Sequence, residues 1–364
     1  METSERRHKT MNGVAVGDVV QVRPPEEILS GLDDRGERES MPFMPEMLKF
    51  AGRRFVVESI SHKTCDTVNW TGIRKVENTV HLSGVRCDGS AHGGCQAGCL
   101  IFWKTDWLTR VSGTGEVEPD SVANAEVAAP AEGPAPTGCT AERLQEVAHG
   151  ACRDDVTPSD GPVYSCQATE LPRFVGAEIP RWNLRQYADD VQYGNASSRS
   201  VLWGILVGLF NLGQTASSKL LPRWLRVRAG VKYPFIVPSA ERMAAANLGL
   251  EAGDWVRVRS AEEIGKTLDK NYRNRGLYFD REMLKYCGRT VQVLRRVDHI
   301  IEEPTGLMIT MKTPSVILAG GICAADYHRS CPRAIYAYWR ESWLERVPAP
   351  EPADRAIEPQ AAQG

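Results

Sequence analysis

Two short stretches of this chain carry residue types that bind metal ions. Cys87, His92 and Cys95 form a Cys-x4-His-x2-Cys pattern, and Cys323, His328 and Cys331 repeat it at the same spacing. Thiolate sulfur and imidazole nitrogen are usual ligands of tetrahedral zinc, which takes four. The fourth must come from elsewhere: Cys65, Cys99 or His62 for the first trio, and Cys287 or His299 for the second. If no fourth protein ligand is supplied, each ion keeps a position for water or substrate, as a catalytic metal does. Asp88 and Asp326 are then the candidate acid–base groups. Iron–sulfur ligation by Cys65, Cys87, Cys95 and Cys99 is the alternative cofactor. Against all of these stands the plain reading that free cysteine packs well in protein cores.

The recurrence of the trio belongs to a larger repeat. Residues 17–111 overlay 253–347 at a constant offset of 236 without a gap, and about 30 of 95 positions are identical. Gly17-Asp18-Val19-Val20-Gln21-Val22-Arg23 meets Gly253-Asp254-Trp255-Val256-Arg257-Val258-Arg259. Glu46-Met47-Leu48-Lys49 meets Glu282-Met283-Leu284-Lys285, and Trp103 and Trp107 meet Trp339 and Trp343. Cys65 and Cys99 face Ile301 and Ile335, so the two copies differ in their fourth-ligand candidates. His62 and His299 correspond if the preceding loop slips by one residue.

The elements that must position these loops are short. The Gly-Asp-x-Val-x-Val-Arg opening alternates apolar and polar residues, as a half-buried strand does. A helical turn and loop follow, then glycine-led strands at 52–57 and 288–293, and strands at 80–82 and 316–318 that lead into the Cys/His loops. Each copy closes on an aromatic strand. The Trp pairs read as core or cleft residues, with an aromatic binding face as the alternative. Short strands with little helix predict a small, strongly bent barrel in each copy.

Between the copies lies a different composition. Residues 112–137 and 348–364 are rich in Pro, Ala, Gly and Glu and read as a disordered linker and tail. The central segment, 138–238, is expected to hold two or three helices. Its run Val201–Leu212 is nearly all apolar, yet too short for the ~20 residues that span a bilayer. Gly204 and Gly208 within it have the spacing of a close helix-packing seam. Lys219, Arg223, Arg226, Arg228 and Lys232 follow without an acidic residue. A buried helix with a solvated basic successor is the expectation, and contact of 201–232 with a membrane surface the alternative. Cys139, Cys152 and Cys166 show no metal-ligand spacing.

With 44 basic and 46 acidic residues the net charge is −2, which gives no global case for nucleic-acid binding. The N-terminus is charged and lacks the apolar core of a secretory signal, so a cytoplasmic protein is expected. A reducing compartment favours metal binding over disulfides for clustered Cys and His. No nucleotide-binding glycine loop, nucleophile elbow or His-Glu-x-x-His helix is found. Cys87-Asp88-Gly89-Ser90-Ala91-His92 comes near the Cys-Asp-Gly-Ser-His motif of small iron–sulfur proteins, but Ala91 breaks its spacing.

The opening, glycine-led and closing strands of each copy resemble SH3-like barrels such as that of the nitrile hydratase beta subunit. The stretches 17–23, 41–48 and Cys87-Asp88-Gly89-Ser90-Ala91-His92-Gly93-Gly94-Cys95-Gln96-Ala97-Gly98-Cys99 resemble an uncharacterised family of bacterial hypothetical proteins. That resemblance implies a bacterial, cytoplasmic protein and supplies no activity.

The sequence therefore predicts an α+β, mainly β chain. Its parts are a first SH3-like repeat (12–111), a linker (112–137), a central helical segment (138–238), a second SH3-like repeat (239–347) and a tail. The expected function is a zinc-binding tandem-repeat module that binds or scaffolds a protein or small-molecule partner. The alternative is a metalloenzyme, in a biosynthetic pathway, whose Cys2His-bound ion activates water or substrate.

Overall fold

The structure is a computed structural model that describes residues 8–111, 138–150, 162–239, 241 and 246–350. The expected linker and most of the tail lie outside the described residues, as does Cys152. The chain divides into two compact units, Met1–Asn195 with Ile301–Ile309, and Ala196–Ile300 with Thr310–Gly364. The central segment is thus shared: helices Ala141–Ala148, Leu171–Phe174 and Arg185–Tyr193 belong to the first unit and Ser198–Leu220 to the second.

Each unit is built on a five-stranded antiparallel sheet. In the first, the order is Trp103–Lys104, Thr79–Leu82, Arg54–Ile60, Val19–Val22 and Leu108–Arg110. In the second it is Tyr336–Arg340, Met308–Ile322, Thr290–Ile301, Trp255–Val258 and Leu344–Arg346. The register obeys the sequence offset: Val19 pairs with Val56 as Trp255 pairs with Gln292, and Val22 with Leu108 as Val258 with Leu344. Gly52 and Gly288, at φ +75° and +79°, make the turn into the second strand of each sheet, a backbone region that disfavours L side chains.

The expected barrels are not closed. The two edge strands of the first sheet are joined by a 3-10 turn, Thr105–Trp107, and those of the second by Glu341–Trp343. The sheet therefore curls until its edges are neighbours along the chain, but no ladder of hydrogen bonds joins them. Aromatics sit in the core of each unit. Phe43, Trp103 and Trp107 meet edge to face at 5.1–6.5 Å, and Phe279, Trp339 and Trp343 repeat the arrangement. All six rings are buried, which makes them core and not a binding face.

The helices follow local rules. Ser260 and Glu263 form a capping box that starts Ala261–Lys266. Ser197 caps Ser198–Leu220, which ends where Pro222 cannot continue it. Gly204 lets this helix approach the Asp326 carbonyl, whereas Gly208 faces open space, so the two glycines do not form one packing seam. No helix among the described residues is long and apolar enough to cross a membrane.

Candidate metal centres

In each unit a 3-10 turn, Pro45–Phe50 or Arg281–Tyr286, carries a glutamate to the mouth of the Cys/His loop. Glu46, Cys87 and His92 bring one ligand atom each within 4.8 Å of one another, and so do Glu282, Cys323 and His328. The glutamates stand at corresponding positions of the repeat. Each brings a candidate third ligand atom to its group, where sequence spacing places Cys95 and Cys331.

The first centre is the more enclosed. The Cys87 thiol donates to Glu46 Oε1 at 3.0 Å, and His92 Nδ1 lies 3.1 Å from the same oxygen. On its far side, His92 Nε2 sits 3.0 Å from the Ser165 carbonyl oxygen. A carbonyl only accepts, so Nε2 carries a proton and Nδ1 is the nitrogen turned toward the centre. Metal-bound histidines are held in this way by an acceptor behind the ring. The second oxygen of Glu46 is buried and has no hydrogen-bond partner among the described residues, and the same holds for Glu282 Oε2. A buried carboxylate oxygen left unsatisfied is costly, and a bound cation would satisfy it.

Electrostatics fit the same picture. Burial works to raise the Glu46 pKa, but the hydrogen bond and charge of His92, with the Cys87 thiol, outweigh it and hold the pKa low. Burial, the Glu46 carboxylate and the Cys99 thiol push the Cys87 thiol far above its ordinary value. Without a cation, Cys87 is therefore a thiol; a metal would replace its proton.

The loop is shaped by backbone in the left-handed region. Gly89, Gly93, Gly94 and Gly98 all have positive φ, and a Cβ on Gly89 would lie within 2.1–2.9 Å of Cys95 backbone atoms. At the corresponding positions of the second unit, Ala325, Arg329, Ser330 and Ala334 also have positive φ. The second loop keeps the shape without the glycines that make it easy, at ~1 kcal/mol or more of strain per residue.

The second centre is more open. Glu282 Oε1 accepts from the Tyr327 backbone N–H at 2.7 Å. His328 Nε2 lies 3.0 Å from Asp280 Oδ2, a carboxylate behind the ring where the first unit has a carbonyl. Burial raises the Glu282 pKa to about 7, with the Tyr327 N–H opposing and the Asp326 charge reinforcing.

The remaining sequence candidates have other places. His62 Nε2 is 3.2 Å from Asp190 Oδ1, while the fully buried Lys63 donates to Asp190 Oδ2 at 2.6 Å. His62 is thus part of a buried charge group. Cys65 stands on strand Lys63–Asp66 opposite Ile73. The buried Cys95 sulfur accepts from the Ile301 N–H at 3.4 Å. Cys287 follows the turn that carries Glu282 and packs on the second core, its thiol raised by burial to about 11. His299 is on strand Thr290–Ile301, and Cys331 is buried in its loop. Neither His299 nor Cys331 joins the Glu282 trio. Asp88 pairs with Lys49, whose hydrogen bond overcomes burial and holds its pKa at about 2; such a carboxylate is a poor proton acceptor near neutrality. Asp326 lies 4.0 Å from Lys285.

Sequence spacing could not point to the glutamates, because Glu46 is 41 residues from Cys87. The available signal was the retention of Glu-Met-Leu-Lys in both copies. Comparison with protein-family models, curated proteins and solved structures finds no match to this chain.

Proposed function

We propose that this protein is a tandem metal-binding module, with zinc held by Glu46, Cys87 and His92 in one unit and by Glu282, Cys323 and His328 in the other. The observation that carries this reading is the buried carboxylate with one unsatisfied oxygen beside a thiol and an imidazole, present in both copies. Borderline-soft zinc accepts sulfur, nitrogen and oxygen donors together. The open sheets with 3-10-linked edges support an SH3-like reading of each repeat, and hence a binding or scaffold role.

Three protein ligands leave a fourth tetrahedral position for a partner's ligand, water or substrate. The metalloenzyme alternative uses that position to activate water, and the more exposed second centre suits it better. Metal analysis after zinc loading tests the proposal: bound zinc in both units supports it, and a metal-free chain overturns it. Unfolding on chelation assigns a structural ion; a folded apo-protein favours the enzyme.

A second reading concerns the helix Ser198–Leu220. Leu202, Trp203, Leu206, Leu209 and Leu212 are exposed on it, and Trp224 and Leu225 beyond it are also exposed among basic residues. An apolar face beside a basic stretch suits an anionic lipid surface.

A further inference from the structure

The polarity of the helix Ser198–Leu220 is inverted. Leu202, Leu206 and Leu209, at i, i+4, i+7 spacing, share one exposed face, and Trp203 and Phe210 flank it in the open. The inward side mixes Val201 and Val207 with the polar Asn211, Gln214 and Thr215. A surface helix of a soluble protein normally has the reverse arrangement. The inward amides grip the segment that returns along the helix. Asn211 Nδ2 donates to the Tyr233 carbonyl at 3.1 Å, and its Oδ1 accepts from the Tyr233 N–H at 2.8 Å. Gln214 Nε2 donates to the carbonyls of Val227 and Val231 at 2.9 and 3.0 Å. Trp203 meets Tyr233, and Phe210 meets Phe235, edge to face at 5.9 and 6.0 Å. Helix and return segment are thus one hairpin, and the return segment adds the exposed Trp224, Leu225 and Val227. Between Asp190 and Glu241 the chain has no acidic residue, but it has Arg199, Lys219, Arg223, Arg226, Arg228 and Lys232.

We infer that residues 198–237 form a preassembled hairpin that docks flat on an anionic bilayer surface, with Asn211 and Gln214 as its positioning residues. The inference rests on the lipid reading of this helix and deepens it. Charge selects the occupant. A second copy meeting this face about a two-fold axis would set one basic stretch against another, whereas anionic headgroups pair with both. The helix does not qualify as a span, so its apolar face lies in the interface. The clamp gives the hairpin its shape in advance. Asn211 and Gln214 hold the basic return segment beside the apolar stripe, so the surface does not have to order the two parts as it binds them. The Thr215 and Ser217 hydroxyls donate to the Asn211 and Gln214 carbonyls, so these inward groups are also satisfied within the helix.

The test uses the full chain with vesicles of phosphatidylcholine, with and without added phosphatidylserine. The chain should float with the phosphatidylserine vesicles, and at least several-fold less with phosphatidylcholine alone or at high salt. Amide hydrogen exchange should find the helix protected before vesicles are added. The double variant Asn211→Ala, Gln214→Ala keeps the apolar stripe and every basic residue. It should float several-fold less, exchange faster over 224–235, and lose most of its preference for phosphatidylserine, with exchange of strand Thr290–Ile301 unchanged as a control for unfolding. Loss of the preference marks a positioning role, because general unfolding would expose apolar surface to both kinds of vesicle alike. Equal flotation and preference in the double variant, or a helix protected only after vesicles are added, overturns the preassembled hairpin and leaves the lipid reading standing. Equal flotation of the wild-type chain with both vesicles overturns the anionic partner. A wild-type chain that binds neither overturns the lipid reading itself, and a dimer that Leu206→Glu with Leu209→Glu dissociates would then give the face to a second copy.

Discussion

Glu46 accepts a hydrogen bond from the Cys87 thiol at 3.0 Å across 41 residues of chain. Its counterpart Glu282 reaches the same place beside Cys323, and in both carboxylates the second oxygen is buried without a hydrogen-bond partner among the described residues. The sheet frame puts them there, because the turn that carries each glutamate and the loop that carries each cysteine hang from the same curled sheet.

The pH dependence of the apo-protein should carry the mark of Glu282. Its folded pKa of about 7 stands above the ordinary 4.5, so the protonated carboxyl is the form the fold prefers. That stability is fully present below the unfolded value and lost as pH rises through the folded one, on the order of 3 kcal/mol in total. Denaturant midpoints of the chelated protein should fall between about pH 5 and about pH 8. Glu282→Gln should flatten the fall, and an equal fall in the variant would refute the assignment.

The loop glycines give opposite predictions in the two copies. Gly89→Ala places a Cβ against Cys95 backbone and should cost on the order of 2 kcal/mol. Ala325→Gly relieves a positive φ at the corresponding position and should stabilise the second unit by about 1 kcal/mol. Thermal unfolding of each variant reads the sign directly.

Asp190 should prove a structural anchor of the first unit. Asp190→Ala strips the fully buried Lys63 ammonium of its carboxylate, a loss that costs roughly 3–5 kcal/mol when one partner of a buried pair is removed. His62→Gln should cost less and leave metal content unchanged, as equilibrium unfolding and metal analysis will show.

The exposed helix face predicts flotation of the chain with anionic vesicles. Leu206→Glu combined with Leu209→Glu should abolish it, because both side chains face solvent and neither is needed in the core. A wild-type chain that stays in solution removes the membrane reading.

Much of the frame was legible in the sequence, because a gapless offset fixes strand register. Val22 and Val258 meet Leu108 and Leu344 as the alternation implies. The Cys/His loops were visible for the same reason. What was hidden depends on tertiary contact. Glu46 comes from a segment distant in sequence from Cys87 and His92, and no local spacing marks a candidate ligand delivered by a separate turn. His62 looked like a ligand by residue type, but Asp190, far along the chain, had already engaged it. The barrel failed to close because its edge strands meet through a 3-10 turn and not a ladder, a distinction that strand periodicity does not encode.

The most direct test is metal analysis of the zinc-loaded full chain beside the double variant Cys87→Ser, Glu282→Gln. The wild-type chain should hold at least about two ions, one or more in each unit, and the double variant essentially none. A double variant that retains the wild-type metal content would contradict the two Glu-Cys-His centres.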